Sequence, residues 1–284
     1  MGFSDVVQWL FSHRYIAGQT IEDAVERCKR LNALNIRCVL NYLGEEITHE
    51  DDVKSAVLVY KKMIDAIKSR RLAADISVKP TEMGLLIGSS DAKKHYSEIV
   101  EYAARRKVFV WMDMEERKFV EPSIRLYLTK VKRGNTGICI QSYLLRSGDD
   151  LENLAKHKAT VRLVKGAYGD DPQHAYANRR ETTDNYYVLM NYLFQNFRRF
   201  TIGTHDTRII ERGMRLNRKW KRDVTYAMLL GIRSGYLRQL GASGAKVAVY
   251  VPFGRAWIRY AYRRLKEASN LKLFISSLFD KFGA

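Results

Sequence analysis

Short runs of apolar, largely β-branched residues recur along the chain at 36–43, 75–79, 107–112, 137–143, 160–164, 200–203, 223–229 and 246–251. Between most of these runs the apolar positions switch to helical spacing, and successive runs begin roughly 25 to 40 residues apart, the rhythm of strand–helix units in a parallel sheet. Eight such units predict an α/β protein built as a closed (β/α)8 barrel of TIM type. An open doubly wound sheet is the alternative, but its Gly-x-Gly-x-x-Gly turn after the first strand does not occur. The stretch Gly241-Ala242-Ser243-Gly244-Ala245-Lys246 lacks P-loop spacing and precedes a strand rather than following one. Helical patterns at 3–13 and 20–35 predict an N-terminal helical cap over 1–35, ahead of a barrel at 36–267. Beyond it, Leu271, Phe274, Ile275, Leu278 and Phe282 recur at helical spacing and predict an amphipathic C-terminal helix over 268–284, which could pack on the barrel or dock on a membrane.

The chain has 284 residues, 46% of them hydrophobic, enough to bury one large core, so 1–284 is expected to form a single domain. Cys28, Cys38 and Cys139 include no Cys-x-x-Cys pair, so neither a disulfide framework nor a metal site is expected, and a reducing cytoplasmic setting is. The N-terminus lacks the basic start and apolar run of a secretory signal, and no stretch reads as a membrane span. A formal net charge of +18 would attract nucleic acid or an anionic membrane surface. The basic residues are dispersed and no zinc-finger or ribonucleoprotein motif accompanies them, so nucleic acid is not expected as a partner, while peripheral contact with the inner face of a membrane stays open.

If the barrel is right, the C-terminal ends of its strands carry the chemistry. Polar residues gather there in Ser77-Val78-Lys79-Pro80, Asp113-Met114-Glu115, Gln141-Ser142-Tyr143, Arg162-Leu163-Val164-Lys165-Gly166-Ala167-Tyr168, Gly203-Thr204-His205-Asp206 and at Tyr250. After the last strand, Tyr250-Val251-Pro252-Phe253-Gly254 leads into a helical pattern that puts Tyr260, Arg263, Arg264 and Glu267 on one face. Two adjacent guanidinium groups between tyrosines suit a small carboxylate, because the planar fork of donors grips both oxygens. A solvated helix face is the plainer reading of that stripe alone.

Taken in order and spacing, Leu43-Gly44-Glu45, Val78-Lys79-Pro80-Thr81, Asp113-Met114-Glu115, Gln141-Ser142-Tyr143, Arg162 to Tyr168, Gly203-Thr204-His205 and Tyr250 to Gly254 followed by Tyr260-x-x-Arg263-Arg264-Leu265 resemble the flavin-dependent proline dehydrogenases. The resemblance covers about 43–267. It implies a (β/α)8 barrel with FAD held non-covalently over the strand ends and oxidation of L-proline to Δ1-pyrroline-5-carboxylate by hydride transfer to flavin N5. Residue by residue, it implies that Arg263 and Arg264 clamp the proline carboxylate, that Lys79 faces the substrate, and that Tyr168, Leu229, Tyr250 and Tyr260 enclose the ring. Glu45 would pair with Arg263 as a gate. Asp113 and Arg162 would act at the reacting centre, Arg162 also beside the flavin. Met114, Gln141, Lys165, Gly166, Ala167, Thr204, His205 and Glu267 would contact the cofactor.

The chain departs from the pattern at Gly169, where many members carry tryptophan, and at Thr225-Tyr226-Ala227, where Glu-Phe-Gln is usual, so weaker FAD affinity is expected. The electron acceptor is expected to be a quinone or a partner protein, in a monofunctional enzyme. A relative that has lost FAD and serves as a binding module, or a basic nucleic-acid-binding protein, are the competing functions.

Overall fold

A computed structural model describes residues 14–44, 47–166 and 170–257. Eight strands, β1 Arg37–Tyr42, β2 Ala74–Val78, β3 Val110–Met112, β4 Thr136–Gln141, β5 Val161–Val164, β6 Arg199–Gly203, β7 Asp223–Leu229 and β8 Lys246–Phe253, pair in sequence order into a closed barrel. Every pairing is parallel, and β8 closes on β1 with Val39 opposite Tyr250 and Asn41 opposite Pro252. The (β/α)8 barrel read from the apolar runs is therefore the observed fold, with all eight strands at the expected places.

The helices are α1 Ile21–Asn32, α2 Glu50–Ser69, α3 Ser89–Arg106, α4 Val120–Leu128, α5 Ser147–Lys156, α6 Arg179–Asn196, α7 Thr207–Trp220 and α8 Ser234–Ala242. Thr20 and Asp23 form a reciprocal capping box that starts α1, satisfying backbone donors that would otherwise be orphaned. This helix packs against β1 and β8, where the outer ring closes. The expected helix at 3–13 and the C-terminal helix at 268–284 lie outside the described residues.

Parity along the strands separates an outer apolar core from one inside the barrel. Outward residues such as Leu40, Ile76, Val110, Ile138, Leu163 and Ile202 meet the helix ring in one continuous core. Inside the barrel, Val39, Phe109 and Trp111 form a plug against which Tyr250 packs. Phe109 and Trp111 lie with ring centroids 5.0 Å apart, and the Trp111 indole donates to Asp75 Oδ2 at 3.3 Å. Above this plug the interior turns polar, toward the C-terminal strand ends.

Candidate active site

Asp113, immediately beyond β3, is the hub of the polar interior. Its Oδ1 accepts the Ser77 hydroxyl at 2.6 Å and Arg162 Nη2 at 2.5 Å, and its Oδ2 accepts the Tyr250 hydroxyl at 2.5 Å. These donors come from β2, β5 and β8, so a single carboxylate ties strands on different sides of the barrel. Lys79 Nζ lies 3.9 Å from Asp113 Oδ2 and donates to Asn41 Oδ1 at 2.8 Å. Asn41 Nδ2 in turn donates to the Ser77 carbonyl at 3.1 Å, which fixes which way the amide faces.

Arg162 is buried, its guanidinium carbon 5.0 Å from the Trp111 ring centroid and 5.5 Å from that of Tyr250. Its Nε donates to Cys139 Sγ at 3.5 Å and its Nη2 to Ser77 Oγ at 3.1 Å. Burial works against its charge, yet the Cys139 sulfur and the Asp113 carboxylate outweigh it and hold the guanidinium above its ordinary range. We give the larger part to Asp113, because burial pushes the Cys139 thiol up and keeps it neutral. The result is a fixed, desolvated cation inside the barrel.

Around the rim, Lys165 Nζ donates to Thr183 Oγ1 at 3.1 Å and Asp206 Oδ2 at 3.2 Å. Burial pushes the Asp206 carboxyl up, but Lys165 leads the opposing interactions and the group ends below its ordinary value. His205 Nε2 accepts the Leu229 N–H at 3.4 Å, which assigns the ring proton to Nδ1. Thr204 Oγ1 accepts the Asp206 N–H at 3.2 Å. Met114 and Gln141 are buried at the ends of β3 and β4. The Gln141 Nε2 makes only a long contact, 3.5 Å, to the Met114 carbonyl, while its Oε1 is buried with no donor among the described residues. A buried acceptor seeking a donor costs free energy unless a ligand meets it.

That orphaned amide oxygen at the end of β4, together with the cations Arg162 and Lys165 of β5 and the loop after it, fits a planar ring carrying N–H donors and an anionic tail, as in a flavin nucleotide. Gly166 continues the cradle. Its φ is +103°, and a Cβ there would lie 2.1 Å from the Tyr143 ring. Gly166→Ala is accordingly expected to destabilise the protein by about 3 kcal/mol, from backbone strain and overpacking together, and thermal melts check it.

The structure thus brings Lys79, Asp113, Arg162 and Tyr250 into one cluster and sets Met114, Gln141, Lys165, Gly166, Thr204 and His205 around it. Leu229 pairs with Tyr250 in the β7–β8 register and is only partly buried, against Tyr15, Ile16, Leu43 and Ile232. Glu45, Ala167, Tyr168, Tyr260, Arg263, Arg264 and Glu267 lie outside the described residues, as does Gly169. Ala227 is buried, opposite Gly203 on one side and Ala248 on the other. Ser77, already marked at a strand end, completes the network with Asn41, Trp111 and Cys139, which were given no site role from sequence. A lone amide in the apolar run of β1 is the signal that could have marked Asn41.

Among the described residues, no group of three or more His, Cys, Asp or Glu side chains could hold a metal ion, and no helix is long and apolar enough to cross a membrane.

The fold is shared with solved structures of proline utilization A. That from Bdellovibrio bacteriovorus superposes with a TM-score of 0.87 at 20% identity over 97% of this chain, which spans 34% of that one. In sequence, the chain is 32% identical over 270 residues to proline dehydrogenase 1 of Bacillus subtilis (strain 168), covering 94% of this chain and 89% of that protein. It is 29% identical over 280 residues to proline dehydrogenase of Deinococcus radiodurans, again over 94% of this chain and 89% of the relative. A family model described as proline dehydrogenase matches residues 24–277, and with that span the chain belongs to the proline dehydrogenase family.

Proposed function

We propose that this chain, as one barrel domain over 1–284, binds FAD non-covalently at the C-terminal mouth of the barrel and oxidises L-proline to Δ1-pyrroline-5-carboxylate, the first step of proline catabolism. The observation that carries the proposal is the Asp113 hub, which binds the Arg162 guanidinium and lies 3.9 Å from Lys79 Nζ in a barrel of this family. Among the described residues, Arg162, Gln141, Lys165, Thr204 and His205 would supply polar contacts to the cofactor. Bound FAD supplies a two-electron acceptor for the hydride that leaves the ring carbon next to nitrogen.

The chain's own residues set up that transfer. Lys79, gripped by Asn41, and Arg162, gripped by Asp113, keep positive charge toward the bound ring, which disfavours a protonated amine on the substrate. The neutral nitrogen then has the lone pair needed to form the C=N bond as hydride leaves, and the protonated imine so formed releases its N–H proton to water to give the imine product. Tyr250, fixed through its hydroxyl to Asp113, walls one side of the pocket. In our reading Arg263 and Arg264 clamp the carboxylate, with Tyr168, Tyr260 and Leu229 around the ring and Glu45 pairing with Arg263; holding the carboxylate turns an encounter into a near-attack geometry. Ala167, Met114, Gly166 and Glu267 complete the proposed cofactor contacts. Electrons would leave to a quinone or a protein acceptor, and the net charge of +18 favours peripheral contact with an anionic membrane where a quinone resides.

The clamp is tested by Arg263→Met. Losing two charge-assisted hydrogen bonds is expected to raise the KM for L-proline about a hundredfold. Steady-state kinetics with a dye acceptor would read it, and an unchanged KM would remove Arg263 from the site.

A further inference from the structure

Three residues beyond Lys79, Glu82 is a second buried carboxylate, next to the Asp113 hub. It lies in the short helical turn Thr81–Met83, which is packed between α2 and α3. Its Oε2 accepts the hydroxyl of Tyr60, a fully buried residue of α2, in a short hydrogen bond, and its Oε1 accepts the Gly44 N–H at 3.3 Å. One side chain therefore joins the turn after β2, the helix after β1, and the backbone at the end of β1.

The Gly44 end of that link leads to the other side of the mouth. Leu43 N–H donates to the Phe253 carbonyl at 2.7 Å, and Gly254 sits so close to Leu43 that a Cβ on it would lie 2.6 Å from the Leu43 carbonyl oxygen. Gly254 has a φ of +130°, and its N–H donates to the Gly18 carbonyl at 3.0 Å. In sequence, this turn precedes Arg263 and Arg264 by nine and ten residues. Leu43–Gly44 is its seat, and Glu82 is the side chain that anchors the seat from below.

We propose that Glu82 is a positioning residue for substrate binding: by holding the Gly44 N–H it fixes the seat of the Gly254 turn, and thereby the approach of the proline carboxylate rather than the hydride transfer itself. This rests on the function proposed above. The charged and titratable groups facing Glu82 are Tyr60 of α2, Lys79 beyond β2, and Asp113 and Glu115 beyond β3, with His95 of α3 against the neighbouring Met83 carbonyl. Burial pushes the Glu82 carboxyl above its ordinary value, opposed by Lys79, Tyr60 and the Gly44 N–H. Because the folded value is raised, the stability Glu82 contributes is present at low pH and is lost as pH rises through that value. Glu82→Gln should therefore gain in Tm over the wild type as pH rises, and melts across a pH series read the widening difference.

The test compares Glu82→Leu with Glu82→Gln in the FAD-loaded enzyme. Leucine removes the acceptor; glutamine keeps an oxygen for Gly44 and offers its amide to the Tyr60 hydroxyl. For Glu82→Leu, KM for L-proline is expected to rise about fivefold, the worth of one buried hydrogen bond, with kcat retained, and Glu82→Gln to recover most of that loss. Without substrate, hydrogen exchange at the 40–44 segment should quicken in the leucine variant and not in the glutamine one. A wild-type KM in Glu82→Leu, or a fall in kcat matching the rise in KM, would overturn the proposal. A wild-type enzyme inactive on proline would instead overturn the function reading, and the exchange comparison would still decide whether Glu82 holds Gly44.

Discussion

Asp113→Ala is expected to destabilise the protein by about 3–5 kcal/mol, because it leaves a buried guanidinium without its counter-charge. Arg162 is held against Trp111 and Tyr250 with little water, and Asp113 is the carboxylate that compensates it. The Ser77 and Tyr250 hydroxyls lose their acceptor in the same step. Activity should fall with stability, since Lys79 and Tyr250 are both oriented through this carboxylate; a decrease of at least about a hundredfold in the rate of flavin reduction is expected. Denaturant unfolding and single-turnover kinetics measure the two effects separately. A variant within about 1 kcal/mol of wild type would show that Arg162 can reach water or another partner, against the burial described here.

Arg162→Met is expected to slow flavin reduction by about a hundred- to a thousandfold, the usual size for removing a preorganised charge at a reacting centre, with little change in proline KM. Its effect on stability should be smaller than that of Asp113→Ala. Methionine fills the space between Trp111 and Tyr250, and Asp113 keeps the Ser77 and Tyr250 hydroxyls as donors. The double variant Asp113→Ala, Arg162→Met should then be more stable than Asp113→Ala alone, since the unpaired charge goes with its partner. A double variant whose loss is the simple sum of the two would show that the pair is not coupled.

The barrel was legible because strand and helix impose different periods, and eight β-branched runs separated by helical patterns fit few other architectures. Boundaries were less so. The run at 107–112 is strand only from Val110, because Lys107 takes a left-handed conformation, φ +60°, as the cap of α3. The last run continues through Phe253 rather than stopping at 251, since Pro252 and Phe253 still pair with Asn41 and Tyr42 of β1. In the site, Asp113, Arg162, Lys79 and Tyr250 could be expected from their places at strand ends. Glu82 could not: sequence spacing says which way a side chain points from its own element, but not that Tyr60, in the previous helix, would come to lie over Glu82. Ser77 emerges as the bridge between Asp113 and Arg162 only once the strand register is known.

The most direct test of the account is the visible spectrum of the purified protein supplemented with FAD, recorded anaerobically before and after addition of L-proline. The account predicts retained flavin whose bands between about 370 and 450 nm bleach on addition, with the bleaching blocked in Arg162→Met on the same timescale. Failure to retain FAD, or a bound flavin left oxidised by saturating proline, would contradict it.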